Sequence, residues 1–453
     1  MQFYPLSAIS PVCDKQLFST LLVGLLVVGH QLSAAAESGH HTFASGLKGR
    51  LIVGYQGWFG CPQDSPDNSR WEHWFHKNTP SADALSVDLL PSVVQFRAED
   101  LCLTPLRRAD GSSISVFSSQ NPRIVATHFQ WMRDHGIDGA AVQRFIAPLA
   151  SPHLKSRSNT VLLNARAAAE ASERVFYVTL DVSGADADTV VTDLRRDWKF
   201  LVNELKITAS PSYLRVNGKP VLQLWGFGFK DRPGAPAAVA KLINDLKLGR
   251  EELTGVTLIG GVPANWRTLD GDSQTDQGWA EVYRSYDVLS PWSVGRFRDE
   301  SGMDKFVGQR VLPDIVETKR LGITYMPVIF PGFSWFNLQK GRGQRQLAIL
   351  NQIPRRCGNF LWYQISSLLR KRPALFQIDA LYAAMFDEVD EGTALFAIVT
   401  RQEKLPKGAQ MSFLNQDGCI LSDDWYLRIT GKAAHYLRSG EVPPAKLDAV
   451  MRP

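Results

Sequence analysis

The segment from Phe386 to Ala394, FDEVDEGTA, places four carboxylate side chains within five residues, directly after the apolar run ALYAAM. Like charges at this spacing repel one another, and burying any of them is costly unless it is paired or keeps its proton. Core packing therefore does not explain the cluster. It is either a solvated helix start or calcium loop, or a site that uses paired carboxyl groups.

Glu388 and Glu391 have the spacing that glycoside hydrolysis requires. That reaction needs one carboxylic acid to protonate the departing oxygen and a second carboxylate as base or nucleophile, about 5 Å apart when configuration is retained. Two glutamates three residues apart across a strand-to-loop turn meet this distance. We expect crowding by Asp387 and Asp390 to raise the pKa of at least one glutamate, which keeps an acid protonated near neutral pH.

The elements that must position this cluster follow a regular order along the chain. Short β-branched or apolar runs alternate with segments of helical periodicity, as in strand, crossover helix and parallel strand. Eight such runs favour an α/β protein with a (β/α)8 TIM barrel, a single domain with a C-terminal extension, over the alternative of a doubly wound sheet. The predicted strands are residues 51–59, 139–146, 175–183, 220–227, 256–263, 287–295, 323–332 and 380–388.

Helix signals fill the segments between these strands. Asn121 and Pro122 provide a cap and a first helical position for a helix that stops at Gly136. Between residues 188 and 205, apolar side chains recur at intervals of three and four, so one face of that helix must meet a sheet. Further helices are predicted over residues 161–171, 237–246, 278–286, 307–321 and 360–369, followed by a hairpin-like segment at 412–425 and a closing helix at 430–440.

Aromatic and polar residues recur at the carboxyl ends of the predicted strands, where barrel enzymes carry their sites. Five of the 12 Trp lie there, at positions 58, 225, 266, 292 and 335. Core packing explains any one of them equally well, but their recurrence at one end favours a carbohydrate cleft, since such rings pack on the C–H surfaces of sugars. The predicted substrate-binding residues are Tyr55, Trp58, Gln143, Arg144, Asp181, Trp225, Trp292, Trp335 and Asp387.

The first residues have the features of an export signal. Leu17 to Val28 is an apolar run, followed by Ala34 and Ala36 in the A-x-A arrangement of a signal-peptidase site. The run is shorter than the about 20 residues that span a bilayer. We predict a secreted or extracellular protein without a stable membrane span after processing, with an uncleaved anchor as the alternative. The predicted divisions are 1–36 signal peptide, 37–49 linker, 50–435 barrel and 436–453 C-terminal tail.

Cysteine and charge patterns limit the partners. Removal of the leader leaves Cys61, Cys102, Cys357 and Cys419, which allow three pairings; we favour a Cys61–Cys102 disulfide, with four unpaired thiols as the alternative. The 50 basic and 45 acidic residues are scattered singly, so no nucleic-acid partner is expected. No nucleotide-binding motif indicates a cofactor, and the pair His73 and His76 lacks the third ligand motif of a metal site.

A set of short motifs resembles the bacterial and fungal proteins related to glycoside hydrolase family 99, often labelled xylosidase/arabinosidase-like. The resemblance covers residues 50–435 and is specific as a set, although no single motif is. The motifs are GYQGWFGCP, the W-x-x-W of RWEHWFH, DLLPS, GIDG, SPWSVGR, PGFSW and above all FDEVDEGTA.

The resemblance implies a (β/α)8 barrel that cleaves α-mannosides internally, with retention and without a metal or cofactor. It implies that Glu388 draws the proton from the sugar's own 2-hydroxyl, whose oxygen attacks the anomeric carbon and forms an epoxide-like intermediate. Glu391 then protonates the leaving group and later activates water. The family's characterised branch has Trp and His between the two glutamates, whereas this chain has Val389 and Asp390, which leaves the substrate open. The rival functions are a non-catalytic carbohydrate-binding barrel and a barrel enzyme of different chemistry such as a lyase.

Overall fold

The computed structural model describes residues 44–64, 70–77, 79–344, 346, 348–370 and 378–451. The predicted signal peptide and residues 37–43 of the predicted linker lie outside these ranges. The strands are β1 Arg50–Tyr55, β2 Leu101–Arg107, β3 Ser113–Phe117, β4 Gly139–Phe145, β5 Val175–Asp181, β6 Arg215–Val216, β7 Lys219–Trp225, β8 Thr257–Val262, β9 Val288–Pro291, β10 Thr324–Tyr325, β11 Val328–Ile329 and β12 Ala380–Ala383. The helices are α1 Pro122–Asp134, α2 Pro152–Ser172, α3 Val190–Asn203, α4 Pro236–Leu248, α5 Gly278–Arg284, α6 Glu300–Phe306, α7 Leu312–Leu321, α8 Phe336–Gly341, α9 Asn359–Arg370 and α10 Trp425–Ser439.

Parallel strands form a closed ring in the order β1, β4, β5, β7, β8, β9, β10 with β11, β12 and back to β1. β10 pairs with β9 and β11 pairs with β12, so one stretch of chain, interrupted at Met326 and Pro327, joins the two edges of the sheet. Pro327 has no N–H to donate to a ladder, which is consistent with the break. The predicted (β/α)8 barrel is confirmed, and each of the eight predicted runs overlaps a strand of the ring.

The barrel strands are buried on both faces because helices cover the outside of the ring. Every residue of β5 and β8 is buried. In α3 the predicted apolar stripe faces this core, since Leu194, Trp198 and Leu201 are fully buried. At the start of α1 the Asn121 side chain accepts a hydrogen bond from the Arg123 N–H, with Pro122 in the first turn as predicted.

The C-terminal segment differs from the prediction in one respect. Residues 412–425 form no hairpin, because their polar groups bond elsewhere: the Asp417 carboxylate accepts the Arg356 N–H at 2.6 Å, and Leu414–Asp417 is a 3-10 turn. The closing helix is present as α10, which packs against β1, β12 and α9. An antiparallel hairpin of β2 and β3, which the sequence analysis did not predict, lies instead in the connection between β1 and α1.

Two disulfides join segments that lie outside the barrel strands. The predicted pair Cys61–Cys102 is confirmed, with Cα atoms 6.3 Å apart, and Cys357 pairs with Cys419 at a Cα distance of 6.1 Å. Among the residues that the structure describes, no helix has the length and apolar character needed to cross a membrane.

Candidate active site

The acidic cluster lies at the carboxyl end of β12, and backbone groups at the end of β1 hold its first member. Asp387 is fully buried, and its two carboxylate oxygens accept hydrogen bonds from the N–H groups of Gln56 and Gly57 at 2.7 and 2.8 Å. Burial raises the pKa of Asp387 to about 7, although these two hydrogen bonds oppose the shift. Asp387 therefore joins the last barrel strand to the first.

Glu388 is held at both carboxylate oxygens. Oε1 accepts a hydrogen bond from Gln56 Nε2 at 2.6 Å, and Oε2 accepts one from the Thr393 hydroxyl at 2.5 Å. Burial, followed by the negative charges of Glu391 and Asp390, raises the pKa of Glu388 well above its ordinary value. The donors from Thr393 and Gln56 act against this shift, because they favour the ionised form.

Glu391 lies in the same electrostatic environment but is half-buried. Burial and the charge of Asp390 raise its pKa to about 7, while the guanidinium groups of Arg342 and Arg232 oppose the rise. Since Glu391 also raises the pKa of Glu388, the two carboxyl groups titrate as an interacting pair and share protons near neutral pH.

The turn that carries Glu391 is fixed from two sides. Its carbonyl oxygen accepts the Ser334 N–H at 2.9 Å. Gly392 has φ +66°, and a Cβ there would approach Ser334 to 2.7 Å, so the E-x-x-E-G turn requires glycine at this position. The buried Arg355 guanidinium donates to the carbonyl groups of Gly392 and Ala394 at 2.8 and 2.7 Å.

An aromatic wall stands beside the carboxyl groups. The ring centroids of Trp225 and Trp292 are 5.3 Å apart at 79°, and those of Trp292 and Tyr382 are 6.3 Å apart at 61°. Gln143 Nε2 donates to the Tyr382 hydroxyl at 3.2 Å, which ties β4 to β12 across the mouth of the barrel. These rings and the amide are partly exposed or line the interior, in the arrangement expected of a sugar-binding surface.

Some of the buried polar atoms without a partner lie at this mouth. In folded proteins such atoms are rarely unbonded, so each points to a missing ligand or water. Among the described residues they include Gln56 Oε1, Trp58 Nε1, Gln143 Oε1, Trp225 Nε1, Trp335 Nε1 and Asp390 Oδ1. Five of these atoms belong to predicted strand ends and the sixth to the acidic cluster, so the predicted cleft holds a set of unsatisfied donors and acceptors for a polyhydroxylated ligand.

A cavity of about 320 Å³ opens at the same end and is lined by Gln56, Trp58, His73, Gln143 and Phe145. The lining includes neither Glu388 nor Glu391, but the side chain of Gln56 in this lining bonds Glu388. A second cavity of about 450 Å³ lies at the amino ends of the strands, with Lys219, Thr257 and Thr324 in its lining, and contains none of the predicted site residues.

Two predicted substrate-binding residues lie outside the cleft, and both errors come from the two-residue alternation of strands. Tyr55 is fully buried on the helix side of β1, where its hydroxyl bonds His128 Nδ1 at 3.0 Å. Arg144 is buried behind β4, where it forms a two-bonded ion pair with Asp197 of α3 at 2.6 and 2.7 Å. Their neighbours Gln56 and Gln143 point into the barrel instead.

The remaining predicted residues fall at the mouth or its rim. Asp181 is buried, accepts the Ser183 N–H at 2.7 Å, and has its pKa raised by burial to about 6. Trp335 follows Ser334 directly and packs on Phe333 at 5.3 Å. Of the five Trp noted at strand ends, Trp266 is buried away from the cleft and donates to Asp314 at 3.0 Å.

Sequence analysis missed several residues that the fold brings to the cluster. Gln56 and Thr393 bond Glu388, and Arg232 and Arg342 act on the charge of Glu391. Tyr382 could have been found from its place on the eighth strand, where alternation puts it on the inner face. His73 was considered only as one of a metal pair, whereas its Nδ1 lies 3.3 Å from Asp390 Oδ2.

Comparison with known proteins gives the same architecture. No family model and no curated protein sequence matches the chain. The structure is similar to two structures of the GH99 endo-alpha-mannosidase from Bacteroides thetaiotaomicron. The one in complex with bis-tris-propane shares 14% identity at a TM-score of 0.60, with 87% of this chain and 98% of that chain covered. The other shares 15% identity at a TM-score of 0.61, with 87% of this chain and 99% of that chain covered. The chain therefore has the barrel fold of family 99 glycoside hydrolases, as its motifs predicted.

Proposed function

We propose that the protein is a retaining glycoside hydrolase that acts on an α-linked glycan, with an α-mannoside as the first substrate to test. The observation that carries the proposal is the pair Glu388 and Glu391 at the carboxyl end of the barrel, with raised pKa values and with unpartnered polar atoms around them. The likeness to an endo-alpha-mannosidase supports the sugar and internal cleavage. The two disulfides support export, since such bonds persist in oxidising compartments.

The two glutamates differ in a way that suits different roles. Glu388 accepts hydrogen bonds at both oxygens, so donors favour its ionised form, whereas Glu391 is half-buried and has no side-chain hydrogen bond among the described residues. Burial raises the pKa of both groups, and we place the shared proton on Glu391 because hydrogen-bond donors oppose the rise at Glu388. Glu388 is then the base and Glu391 the acid, as the family resemblance implies.

In the proposed reaction each glutamate accepts one proton and donates one proton, so both return to their starting states. Glu388 takes the proton of the sugar 2-hydroxyl, O2 attacks the anomeric carbon, and the bond to the leaving oxygen breaks as Glu391 protonates it. Glu391 then takes a proton from water, whose oxygen attacks the anomeric carbon and opens the three-membered ring, and Glu388 returns its proton to O2. Two displacements at one carbon retain its configuration.

The same arrangement argues against a calcium loop. Both oxygens of Asp387 and both oxygens of Glu388 already accept hydrogen bonds from N–H or O–H donors, so their lone pairs point at protein groups. A carbohydrate-binding protein without activity would retain the cleft but not require the raised pKa values.

The test measures turnover of a panel of aryl α- and β-glycosides and α-mannan fragments by the wild type, Glu388→Gln and Glu391→Gln. Loss of general acid or base catalysis is expected to lower kcat by about 10² to 10⁴-fold. Glu281→Gln, an exposed change of the same chemistry on α5, is the matched control and should keep full activity.

Leaving-group dependence separates the two roles. Glu391→Gln should lose much less activity on a dinitrophenyl glycoside, which needs no protonation to depart, than on an unactivated glycan. Glu388→Gln should lose activity equally on both. Proton NMR of the first product formed reports retention. Turnover unaffected by either variant, or sugar binding with no turnover of any panel member by the wild type, would contradict the proposal.

A further inference from the structure

His73 reaches the acidic cluster from a distant part of the chain. Its Nδ1 lies 3.3 Å from Asp390 Oδ2, a contact between residues 317 positions apart. Two backbone hydrogen bonds between Glu72 and Gly60, of 3.0 and 3.1 Å, anchor the preceding residue. The imidazole lies flat on Trp58, with centroids 4.2 Å apart and planes at 7°. The position of the ring is therefore fixed from both the backbone and the ring face.

The backbone of His73 supports a specific role. Its φ of 61° lies in the left-handed region, which costs energy for most residues and is tolerated best by Gly, Asn, Asp and His. The same loop carries Trp74, whose ring packs on Phe59, just after β1, with centroids 4.3 Å apart. This conformation aims the imidazole at Asp390 rather than into solvent.

Asp390 depends on this contact. Its side chain is 1% exposed, and the hydrogen bond with His73 is the sole one made by its carboxylate among the described residues, since Oδ1 has no partner. A buried carboxylate without a hydrogen bond or counter-charge is costly and is neutralised by a proton. Loss of the imidazole would therefore remove the one hydrogen bond that the described residues give to this buried carboxylate.

The charge of Asp390 acts on its neighbours. It raises the pKa of Glu391, Glu388 and Asp387, second only to burial for Glu391. The titratable and charged groups of this site come from several elements. Asp387, Glu388 and Glu391 lie on the same loop as Asp390, and Arg232 and Arg342 lie near Glu391. The others are Tyr382 on β12, Asp181 at the end of β5, and His73. Of these, His73 is the group that bonds Asp390 itself.

We propose that His73 is a positioning residue that holds the buried Asp390 carboxylate beside the two glutamates. The inference rests on the proposed function, because it assigns His73 a part in the same site. His73 acts through Asp390 and is not required to touch the substrate.

The test measures kcat/KM against pH for the wild type and four variants of the full chain. The quantity compared is the pH at which activity falls on the alkaline side, called the alkaline limb below. Asp390→Asn removes the charge, and His73→Gly removes the imidazole while tolerating the left-handed backbone. Both are expected to move the limb down by about one to three pH units, the range for one charge about 4 Å away between the dielectric constant of water and an effective value near 20. His73→Asn, whose amide can donate from the place of Nδ1 and which also tolerates this backbone, should keep the wild-type limb.

The double variant His73→Gly/Asp390→Asn tests whether His73 shifts the alkaline limb through Asp390. Its limb should coincide with that of Asp390→Asn alone, because no carboxylate remains for His73 to hold. An unshifted limb in His73→Gly, a limb in His73→Asn shifted as far as in His73→Gly, or an additional shift in the double variant would each overturn the proposal. A purely structural role for His73 would lower thermal stability without moving the limb.

A second measurement is independent of turnover. Carbon-13 NMR of protein labelled at the glutamate carboxyl carbon follows the titration of Glu388 and Glu391 directly, with signals assigned from Glu388→Gln and Glu391→Gln. The midpoints of both glutamates should fall in His73→Gly and Asp390→Asn and remain unchanged in His73→Asn. If the wild type hydrolyses no glycoside, the proposed function fails, while unchanged midpoints in His73→Gly would refute the role of His73 on its own.

Discussion

Replacement of Arg144 by Met tests whether this residue serves the core or the substrate. Arg144 and Asp197 are 2% and 5% exposed and are joined by two hydrogen bonds of 2.6 and 2.7 Å. Removing one partner of such a pair leaves an uncompensated buried charge and costs about 3–5 kcal/mol. With an unfolding entropy of about 2.1 cal/mol/K per residue, about 0.85 kcal/mol/K for some 400 residues, this loss lowers Tm by about 4–6 °C.

Thermal unfolding of three variants measures this effect. Asp197→Leu should lose a similar amount to Arg144→Met, and the double variant Arg144→Met/Asp197→Leu should recover most of it, because two apolar groups replace two charges. Arg196→Met is the matched control, since this neighbouring arginine on α3 is 70% exposed and its pair with Asp193 contributes at most about 1 kcal/mol.

The pH dependence of the defect gives an internal check. In Arg144→Met, the unpaired Asp197 can be neutralised by a proton, so the loss should be smaller at pH 5 than at pH 8. The specific activity of the folded protein should be unchanged. An Arg144→Met variant with wild-type Tm and a large rise in KM would show that Arg144 contacts substrate and that the assignment to the core is wrong.

Three further predictions follow from burial and covalent links. Burial raises the pKa of Asp387, Glu391 and Asp314 to about 7, above their values in the unfolded chain. Their contribution to the stability of the folded state is therefore fully present below about pH 4 and is lost as pH rises through 7. Urea unfolding at pH 5 and pH 8 should show a lower free energy of unfolding at pH 8, and an equal or higher value would contradict the assignment. Replacement of Cys357 and Cys419 by Ser opens a cross-link between residues 62 apart, which should cost about 4 kcal/mol in the same assay; a change below about 1 kcal/mol would show that the link does not constrain the unfolded chain. Tyr55→Phe removes the hydrogen bond to His128 and should lower the free energy of unfolding by about 1 kcal/mol with KM unchanged. A raised KM at wild-type stability would instead show that Tyr55 contacts the substrate.

The barrel was predictable because each strand is a separate apolar run between helices. The run VFYVTLD, for example, is buried at every position, so no alternation had to be interpreted. The β2–β3 hairpin was missed because its first strand alternates buried and exposed residues and contains Pro105, which is unusual within strands. The hairpin expected at 412–425 was wrong because its turn residues, including Asp417, bond a neighbouring loop instead of a second strand.

The position of the candidate site residues along the strands was predicted, but the face of the strand on which each residue lies was not. Inner and outer faces were not separated, so Arg144 was predicted together with Gln143, and Tyr55 was predicted where Gln56 faces the barrel interior. A strand buried on both faces gives no hydrophobic signal for that choice. The contact of His73 with Asp390 was out of reach for a different reason, since it joins loops 317 residues apart that meet only at the mouth of the closed ring.

Closure of the ring and assembly of the site are the same event in this fold. Pairing of β1 with β12, with Arg50 opposite Ala380 and Val53 opposite Ala383, brings the N–H groups of Gln56 and Gly57 to Asp387. Gly54 permits this approach, because a Cβ there would overlap the side chains of Met385 and Tyr382. An acidic loop that is unfavourable in isolation thus gains its donors only when the first and last strands meet. The carboxyl groups are consequently buried with their charges only partly compensated, and this is the origin of the raised pKa values on which the proposed acid catalysis depends.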